Sequence, residues 1–310
     1  MGRLVDGKWT KTSIITSDES GSYKRIPRSF RDSISKDHPT FKPETNRYHL
    51  YVSYACPWAH RTLIYRELKG LVDHISVSVV HPDMLENGWT FQKDENGIGG
   101  DDLYQQEFLY QTYQLAQKDI STSVTVPILW DKKNKTIVNN ESSEIIRIFN
   151  SAFNELTGNK LDYYPKDLQS SINELNELIY SNVNNGVYLS GFATNQKAYE
   201  EAVTNLFNTL DLLEERLVDQ DFLVGNRLTE ADLRLIPTLL RFDPVYVTHF
   251  KCNLKRIKDY KNLSRYTKSL YELEAVKKTT NFDHIKRHYY YSHEMLNPQR
   301  IIPLGPTDFF

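Results

Sequence analysis

YHLYVSYACPWAHR, residues 48–61, is the stretch that decides the fold of this chain. Its first residues alternate and are rich in β-forming side chains, which predicts a strand. A short turn follows, and Cys56 and Pro57 then precede a helical pattern that runs to Lys69. Proline suits the first turn of a helix, because its missing N–H would have no partner there. The pattern therefore predicts a strand, a turn and a helix, with Cys56 at or next to the helix N-cap.

Cys56 in this position is predicted to be a nucleophile. The free amides and the positive dipole end at a helix N-terminus favour a thiolate over a thiol. The alternative is a small buried apolar residue, which is the usual role of a cysteine. A dithiol redox motif would carry a second cysteine at position 59, but that residue is Ala59, and the other cysteine of the chain is Cys252. A lone thiolate cannot resolve its own mixed disulfide, so this chemistry needs an outside thiol.

Length and composition limit the classes of protein to consider. A chain of 310 residues can form one large domain or two ordinary ones with a sizeable core. The net charge of −2 argues against nucleic acid or an anionic membrane as the main partner. Two cysteines make no disulfide framework, so we expect a reducing compartment, the cytoplasm. No signal peptide and no apolar run of membrane-spanning length are visible.

The first half of the chain shows the order of an α/β domain. Residues 1–46 are polar with little periodicity, and we expect an extended arm over the surface. Within this arm, the basic residues 25–31 could line a site for an acidic peptide, although a solvated loop is the favoured interpretation. Residues 47–150 show a strand, a helix, a strand, a long insert, two strands and a helix, which is typical of a thioredoxin-like domain. Inside the insert, Asp101 or Asp102 is predicted to cap a helix.

The second half of the chain shows mainly helical patterns. Residues 151–165 contain Gly158 and Pro165 and are predicted to be a linker. Residues 166–310 show helical spacing in most segments and are predicted to be an all-helical domain. The pair Thr229 and Asp232 has the spacing of a capping box, so we assign both residues a structural role.

The histidines near the C-terminus raise the question of a metal site. His284 and His288 share a helical face, and His293 follows. No glutamate follows His284 directly, and no third ligand is evident, so we expect no metal.

Seven stretches together carry a specific resemblance to a known family: residues 47–62, 84–91, 125–133, 140–142, 184–193, 241–252 and 281–289. They resemble the cysteine-bearing branch of the glutathione transferases, and most closely the Xi class, the S-glutathionyl-hydroquinone reductases. The resemblance covers nearly the whole chain. It implies a thioredoxin-like α/β N-terminal domain, an all-α C-terminal domain and an active site in the cleft between them.

The resemblance also implies a glutathione site around Cys56. The Val126–Pro127 peptide bond is expected to be cis, so that the Val126 N–H and C=O face the cysteine and pair with the extended tripeptide. From the residues alone, a proline that opens a strand is more often an edge-strand device. Trp89 is expected near the glutathione backbone, although on its own it would more often be a core aromatic.

Glu141 and Ser142 open the helix after the fourth strand of the domain. Their residue types fit a plain N-terminal cap with an acidic residue in the field of the helix dipole. By resemblance, Ser142 and the free helix amides bind the α-carboxylate of the γ-glutamyl group of glutathione, and Glu141 binds its ammonium. Both roles can hold at once.

Tyr188 and Tyr289 are the predicted substrate-side residues. From the sequence alone, each is more often a packing residue. By resemblance, both phenols point into the cleft and donate hydrogen bonds to the oxygens of an aromatic substrate, with Trp58 as an apolar wall. Because Tyr289 stands in a run of three tyrosines, Tyr290 remains the alternative.

The implied function is glutathione-dependent reduction of S-glutathionyl-hydroquinones through a mixed disulfide between Cys56 and glutathione. The expected partners are glutathione and quinone-derived small molecules, with no nucleic acid and no membrane, and the resemblance implies a homodimer. One alternative is an omega-like thiol transferase or dehydroascorbate reductase that uses the same cysteine. An alternative of another class is a scaffold or binding protein with the same fold and no turnover.

Overall fold

The computed structural model describes residues 2–13, 15–24 and 27–307. The strands are β1 (Arg3–Val5), β2 (Lys8–Thr10), β3 (Thr16–Ser17), β4 (Tyr23–Lys24), β5 (Tyr48–Val52), β6 (Ile75–Val79), β7 (Thr122–Ser123), β8 (Ile128–Asp131) and β9 (Thr136–Asn139). The α-helices are α1 (Pro57–Leu68), α2 (Leu109–Ala116), α3 (Ser142–Ser151), α4 (Asn154–Thr157), α5 (Gln169–Ile179), α6 (Gly186–Gly191), α7 (Gln196–Arg216), α8 (Glu230–Arg241), α9 (Val247–His249), α10 (Lys261–Tyr271), α11 (Glu274–Thr279) and α12 (Phe282–Ser292).

The described residues divide into two compact units. The first contains residues 2–13, 27–161 and 279–288, and the second contains residues 15–24, 162–278 and 289–307. Across these residues, no helix has both the length and the apolar character needed to cross a membrane.

The first unit is built on a four-stranded sheet with the order β6-β5-β8-β9. β5 pairs in parallel with β6 and antiparallel with β8, and β8 pairs antiparallel with β9. Every residue of β5 is buried, as expected for a central strand covered on both faces. Helix α1 connects the parallel pair and packs against α3. The predicted thioredoxin-like α/β architecture is confirmed.

The polar arm contains short strands that its sequence did not indicate. β1 pairs antiparallel with both β2 and β7, which gives a small three-stranded sheet. Strands of two or three residues are too short to show a period-2 pattern, so the sequence offered no signal for them. In the basic segment 25–31, Arg25 and Ile26 lie outside the described residues, and the Arg31 guanidinium forms a two-bond ion pair with the Glu144 carboxylate.

The predicted start of the helix in the insert is wrong. α2 begins at Leu109, where the Gln111 side chain accepts a hydrogen bond from the Phe108 N–H at 2.8 Å. The carboxylate of Asp101 caps an irregular turn instead, because it accepts hydrogen bonds from the backbone N–H groups of Leu103, Tyr104 and Gln106. Aspartate caps turns and helices by the same hydrogen bonds, so its presence could not distinguish them.

The second unit is helical apart from the short β3–β4 pair, which agrees with the predicted all-α C-terminal part. The capping box is confirmed: the Thr229 N–H donates to the Asp232 carboxylate at 2.8 Å. Tyr266 also donates to Asp232 at 2.8 Å, so this buried carboxylate holds the start of α8. π-helical turns, Tyr180–Asn184 and Phe242–Tyr246, extend α5 and α8.

Each compact unit is made of separate segments of the chain, whereas each predicted domain is one continuous segment. Residues 279–288 group with the first unit, where His284 Nε2 lies 2.8 Å from an Asp94 oxygen and Arg287 forms two hydrogen bonds with Asp83. Residues 15–24 group with the second unit, where the Asn195 side chain donates to the Ser20 carbonyl at 2.8 Å. Such links join segments far apart in the chain, so periodicity cannot reveal them.

Candidate active site

Cys56 is the N-cap residue of α1, as predicted. β5 ends at Val52, the chain turns through a hydrogen bond from the Cys56 N–H to the Ser53 carbonyl at 3.2 Å, and α1 begins with Pro57. Cys56 has an extended backbone conformation, with φ −78° and ψ 120°, and its carbonyl accepts the first helical bond from the His60 N–H. The Cys56 side chain makes no capping hydrogen bond and is partly exposed. The sulfur therefore stands at the positive end of α1 with access to solvent.

The backbone of Val126 lies beside the sulfur. The Cys56 Sγ donates to the Val126 carbonyl at 3.7 Å, and the Val126–Pro127 peptide bond is cis, as the resemblance implied. In the described part of the chain, no residue accepts a hydrogen bond from the Val126 N–H. An extended peptide can therefore pair with this backbone while its thiol reaches the cysteine.

Glu141 is the N-cap residue of α3. Its Oε1 accepts hydrogen bonds from the Ser143 N–H and the Ser143 hydroxyl, both at 3.0 Å, so the plain capping role holds. The buried Ser142 donates to the same oxygen at 3.4 Å. No donor in the described residues is hydrogen-bonded to the second oxygen, Oε2. The carboxylate can therefore cap α3 and still accept a hydrogen bond from a bound ammonium.

The charge of Glu141 is stabilised by its surroundings. Burial opposes the charged form, but the Ser143 hydrogen bonds and the positive charges of Arg28 and Arg61 hold the pKa of Glu141 below its ordinary value. The same two guanidinium groups supply a positive field at the start of α3, where a carboxylate ligand would also be favoured. The sequence predicted the Glu141 pair but not the contribution of Arg61, which lies in the second turn of α1.

Trp89 is buried in the first unit and stacks on the ring of His288, with ring centroids 4.8 Å apart and an interplanar angle of 22°. Nδ1 of His288 lies 2.8 Å from the Pro82 carbonyl oxygen and so donates a hydrogen bond to it. The stacking partner fixes the plane of the indole. The family resemblance implied that Trp89 contacts glutathione, but it did not indicate His288 as the support of the indole.

The second unit brings the predicted tyrosines together. The hydroxyl oxygens of Tyr188 and Tyr289 lie 2.5 Å apart, and Tyr246 adds a third phenol at 3.0 Å from the hydroxyl of Tyr289. Burial, and then the neighbouring Tyr188 and Tyr246 phenols, raise the pKa of Tyr289 well above its ordinary value. The Tyr289 phenol is therefore a neutral hydrogen-bond donor at any physiological pH.

The structure distinguishes the neighbouring tyrosines of α12. The Tyr290 hydroxyl donates to the Pro244 carbonyl at 3.2 Å, whereas the Tyr289 hydroxyl joins Tyr188 and Tyr246. Tyr246 is the residue that sequence reasoning missed. It lies in the stretch 241–252 that carries the family resemblance, but nothing in that stretch indicated that a π-helical turn would aim its phenol at Tyr289.

The C-terminal histidines have structural partners in the fold. His284 pairs with Asp94, His288 with the Pro82 carbonyl, and His293 Nδ1 lies 3.1 Å from His249 Nε2. Within residues 2–13, 15–24 and 27–307, no group of three or more histidine, cysteine, aspartate or glutamate side chains could hold a metal ion.

Cys252 lies in a different environment from the partly exposed Cys56. It is fully buried, and burial raises the pKa of its thiol to about 12. A thiol with that pKa is almost entirely protonated at neutral pH, so it is a poor nucleophile.

A cysteine at the N-cap of the first helix of a thioredoxin-like unit, combined with an all-helical unit, defines a cysteine-type glutathione transferase. Family models agree: that of the glutathione S-transferase N-terminal domain matches residues 55–152, and that of the C-terminal domain matches residues 196–269.

Individual relatives match nearly the full length of the chain. Glutathionyl-hydroquinone reductase YqjG of Escherichia coli (strain K12) is 55% identical, covering 99% of this chain and 95% of the relative. The glutathione-bound structure of YqjG is 53% identical with a TM-score of 0.90, covering 99% of this chain and 97% of that chain. The glutathione S-transferase Xi structure from Phanerochaete chrysosporium is 53% identical with a TM-score of 0.91, covering 95% and 96%. This chain belongs to the glutathione transferase superfamily, in its Xi class.

Proposed function

We propose that this protein reduces S-glutathionyl-hydroquinones to hydroquinones, with glutathione as the reductant. The observation that carries the proposal is the 55% identity, over nearly the full length of both chains, to the Escherichia coli protein named for that activity. The position of the partly exposed Cys56 at the N-cap of α1 supports it, because the reaction needs an accessible sulfur nucleophile.

The glutathionyl part of the substrate is proposed to bind along the first unit. The Val126 N–H and C=O are positioned to pair with the tripeptide backbone as an added strand, and Trp89 supplies a rigid face beside it. The second carboxylate oxygen of Glu141 accepts from the γ-glutamyl ammonium. Ser142 and the free amides of α3 receive the γ-glutamyl carboxylate.

The first half of the reaction transfers the glutathionyl group to the protein. In the keto tautomer of the substrate, the ring carbon that carries sulfur also carries a hydrogen. The Cys56 thiolate attacks that sulfur, a sulfur–sulfur bond forms, and the carbon–sulfur bond breaks. The electron pair of the broken bond is delocalised onto the ring oxygen, which becomes a phenolate and then takes a proton from solvent. The aromatic product is thereby reduced by two electrons, and the two sulfurs are oxidised to a disulfide.

The second half restores the cysteine. A glutathione thiolate attacks the glutathionyl sulfur of the mixed disulfide, which forms oxidised glutathione and releases the Cys56 thiolate. Cys252 takes no part, since its buried thiol stays protonated. Glutathione is therefore a co-substrate that supplies the resolving thiol.

Tyr188 and Tyr289 are proposed to serve the leaving group. Negative charge develops on the hydroquinone oxygen as the carbon–sulfur bond breaks, and neutral phenols that donate to this oxygen stabilise the transition state. The two hydroxyl oxygens lie 2.5 Å apart, and each hydroxyl has one proton to donate, so both phenols can donate to the substrate oxygen only when the hydrogen bond between them opens.

We expect Tyr188→Phe to slow the reduction of a glutathionyl-hydroquinone while it leaves the reduction of hydroxyethyl disulfide nearly unchanged. A neutral hydrogen bond is worth about 0.5–1.5 kcal/mol, which corresponds to a loss of roughly 2- to 13-fold. The disulfide has a thiolate leaving group, so it does not need the phenol. Steady-state kinetics on both substrates measure the ratio of the variant rate to the wild-type rate for each.

Tyr164→Phe is the matched control, because it removes a hydroxyl of the same unit that donates to Asn173 at 2.8 Å. It should leave both activities unchanged. Equal losses on both substrates in Tyr188→Phe would show that the tyrosine only shapes the pocket.

The omega-like alternative is distinguished by its substrates. A panel with glutathionyl-menadiol, hydroxyethyl disulfide and dehydroascorbate, each supplied with glutathione, tests both candidates in one experiment. The proposal expects the highest kcat/KM on the glutathionyl-hydroquinone. Turnover of the other two alone would instead assign a thiol transferase or dehydroascorbate reductase, and no turnover of any would favour a binding protein.

We further infer a homodimer in the cytoplasm. The dimer rests on the family resemblance, and the compartment rests on the need of Cys56 for a reduced thiol and a supply of glutathione. Sedimentation equilibrium of the purified protein measures the oligomeric state directly.

A further inference from the structure

The groups of the proposed glutathione site differ in how they are held in the first unit. Val126 directly precedes the strand β8, and Glu141 and Ser142 stand at the start of α3, so regular elements fix these groups. Trp89 lies between β6 and α2, in a segment outside the helices and strands. A binding group on such a segment is held by contacts from other segments, or each binding event has to order it. The position of Trp89 therefore depends most on its neighbours.

Trp9, on the second strand of the N-terminal β1–β2 hairpin, contacts the turn that directly precedes Trp89. This turn closes with a hydrogen bond from the Gly88 N–H to the Leu85 carbonyl at 3.0 Å. The Trp9 indole N–H donates to the Glu86 carbonyl at 3.1 Å. The six-membered ring of the indole lies against Gly88, where the Cβ of any other residue would stand 2.7 Å from Trp9 Cη2. Gly88 also has φ +71°, a conformation that favours glycine. The turn is therefore shaped to receive the indole.

The hairpin that carries Trp9 is itself fixed to the first unit. β1 pairs antiparallel with β7, and the Gly7 N–H donates to the Ile120 carbonyl at 2.9 Å. The Gln114 side chain donates to the Gly7 carbonyl at 2.7 Å. The Trp9 ring stacks on Tyr110 of α2, with centroids 5.0 Å apart and an interplanar angle of 19°. Because both the hairpin and the ring are held, Trp9 is a rigid support for the turn.

The same hairpin also contacts the segment that leads to Val126. In the pairing of β1 with β7, Arg3 lies opposite Ser123, and Val126 follows Ser123 by three residues. One face-to-face pairing and one side-chain contact therefore connect the hairpin to the two segments that carry Val126 and Trp89. The hairpin joins them although they are separate in the chain.

We propose that Trp9 is a positioning residue for glutathione, and that the β1–β2 hairpin fixes Trp89 relative to the Val126 backbone. This inference rests on the proposed function, because it takes Trp89 and Val126 as the groups that contact the tripeptide. The hairpin orders the turn before the ligand arrives. A site whose competent conformation is already populated loses no affinity to ordering, whereas a mobile turn lowers the apparent affinity by the fraction of time it is misplaced.

The test is Trp9→Phe, which keeps an aromatic ring for Tyr110 and removes both the N–H donor and the six-membered ring against Gly88. We expect the Kd of S-methylglutathione, measured by isothermal titration calorimetry, to rise by about 2- to 13-fold, the value of one neutral hydrogen bond. This probe has no thiol, so it forms no disulfide with Cys56. The KM for glutathione should rise in parallel. The kcat at saturating glutathione should stay close to that of the wild type, because α1 holds Cys56.

Lys11→Gln is the matched control. The Lys11 ammonium pairs with the carboxylate of Glu86, the residue whose carbonyl receives the Trp9 N–H, but its side chain is 66% exposed. An exposed ion pair contributes little, so the Kd of S-methylglutathione should match that of the wild type. An equal rise in Lys11→Gln and Trp9→Phe would show that any disturbance near the turn weakens binding, and the assignment to Trp9 would fail.

Gly88→Ala tests whether Trp9 acts through the turn. Alanine at this position is strained by its positive φ and also displaces the Trp9 ring. The backbone strain is the same with Trp or Phe at position 9, so it cancels when the wild type, both single variants and the double variant are compared. We expect the double variant to lose less affinity than the product of the two single losses, because both changes remove one contact. Losses that multiply would overturn the proposal.

Fluorine NMR of protein labelled with 5-fluorotryptophan separates positioning from a general loss of stability. Trp89 and Trp130 are both buried, but Trp130 lies on the central strand β8. In Trp9→Phe, the resonance of Trp89 should shift or broaden while that of Trp130 stays unchanged. An unchanged Trp89 resonance, or an equal change in both, would contradict the proposal.

The wild-type protein distinguishes failure of this inference from failure of the proposed function. Binding of S-methylglutathione to the wild type with the same Kd in Trp9→Phe would overturn the role of Trp9 alone. Absence of wild-type binding, together with absence of turnover on every glutathionyl-hydroquinone, would instead refute the proposed function itself.

Discussion

Cys56→Ser is expected to abolish glutathionyl-hydroquinone reduction, with a loss of about a thousandfold or more, as for other nucleophile replacements. A serine hydroxyl at the N-cap of α1 stays protonated and cannot attack the thioether sulfur. Serine is also a good N-cap residue, so the fold should be retained. The rate of hydroquinone release measures the loss, and the thermal melting temperature monitors the fold.

Cys252→Ser is the matched control for this experiment. It makes the same change of sulfur to oxygen at a buried position whose thiol is protonated, and glutathione, not a second cysteine, resolves the mixed disulfide. The reductase rate should stay close to that of the wild type. Substantial reductase activity in Cys56→Ser would show that Cys56 is not the nucleophile. Loss of that activity in Cys252→Ser alone would show the same.

Glu141→Gln is expected to raise the KM for glutathione with a smaller effect on the chemistry. The glutamine oxygen can still accept from the Ser143 N–H, so α3 keeps its cap, but the negative charge that receives the γ-glutamyl ammonium is lost. A hydrogen bond to a charged group is worth about 1.5–3 kcal/mol, so the expected weakening is roughly 10- to 100-fold. Titration of the glutathione concentration in the reductase assay measures it.

Glu144→Gln supplies the comparison for this carboxylate. Glu144 also lies in the first turn of α3, where it accepts from Arg31 and from the Asn139 side chain, and it is more exposed than Glu141. Its replacement should leave the KM for glutathione nearly unchanged. If both variants raised KM equally, the effect would come from the general field at the helix end and not from a specific ammonium contact.

The elements that position the site could be predicted because each has a local signal. Cys56 follows an alternating strand and precedes a proline. This single short segment therefore indicates both the order strand, turn, helix and the residue at the N-cap. The Glu141 cap and the Thr229–Asp232 capping box also depend on residues close together in sequence.

The features that escaped prediction depend on contacts between distant segments. Asp101 is the exception: its contacts are local, but aspartate caps turns and helices by the same hydrogen bonds, so the sequence could not show that it caps a turn and not α2. The stack of His288 on Trp89 joins residues about two hundred positions apart. Tyr246 has no motif of its own, and only the π-helical turn of the folded chain brings it to Tyr289.

Mass spectrometry of the protein after a single turnover shows whether Cys56 takes the glutathionyl group from the substrate. The reduced enzyme is mixed with excess glutathionyl-menadiol in the absence of free glutathione, and the products are analysed before and after proteolysis. We expect one equivalent of menadiol and one glutathionyl adduct per chain, located on Cys56 and removed by added glutathione. Release of menadiol without an adduct, or an adduct on Cys252, would contradict it.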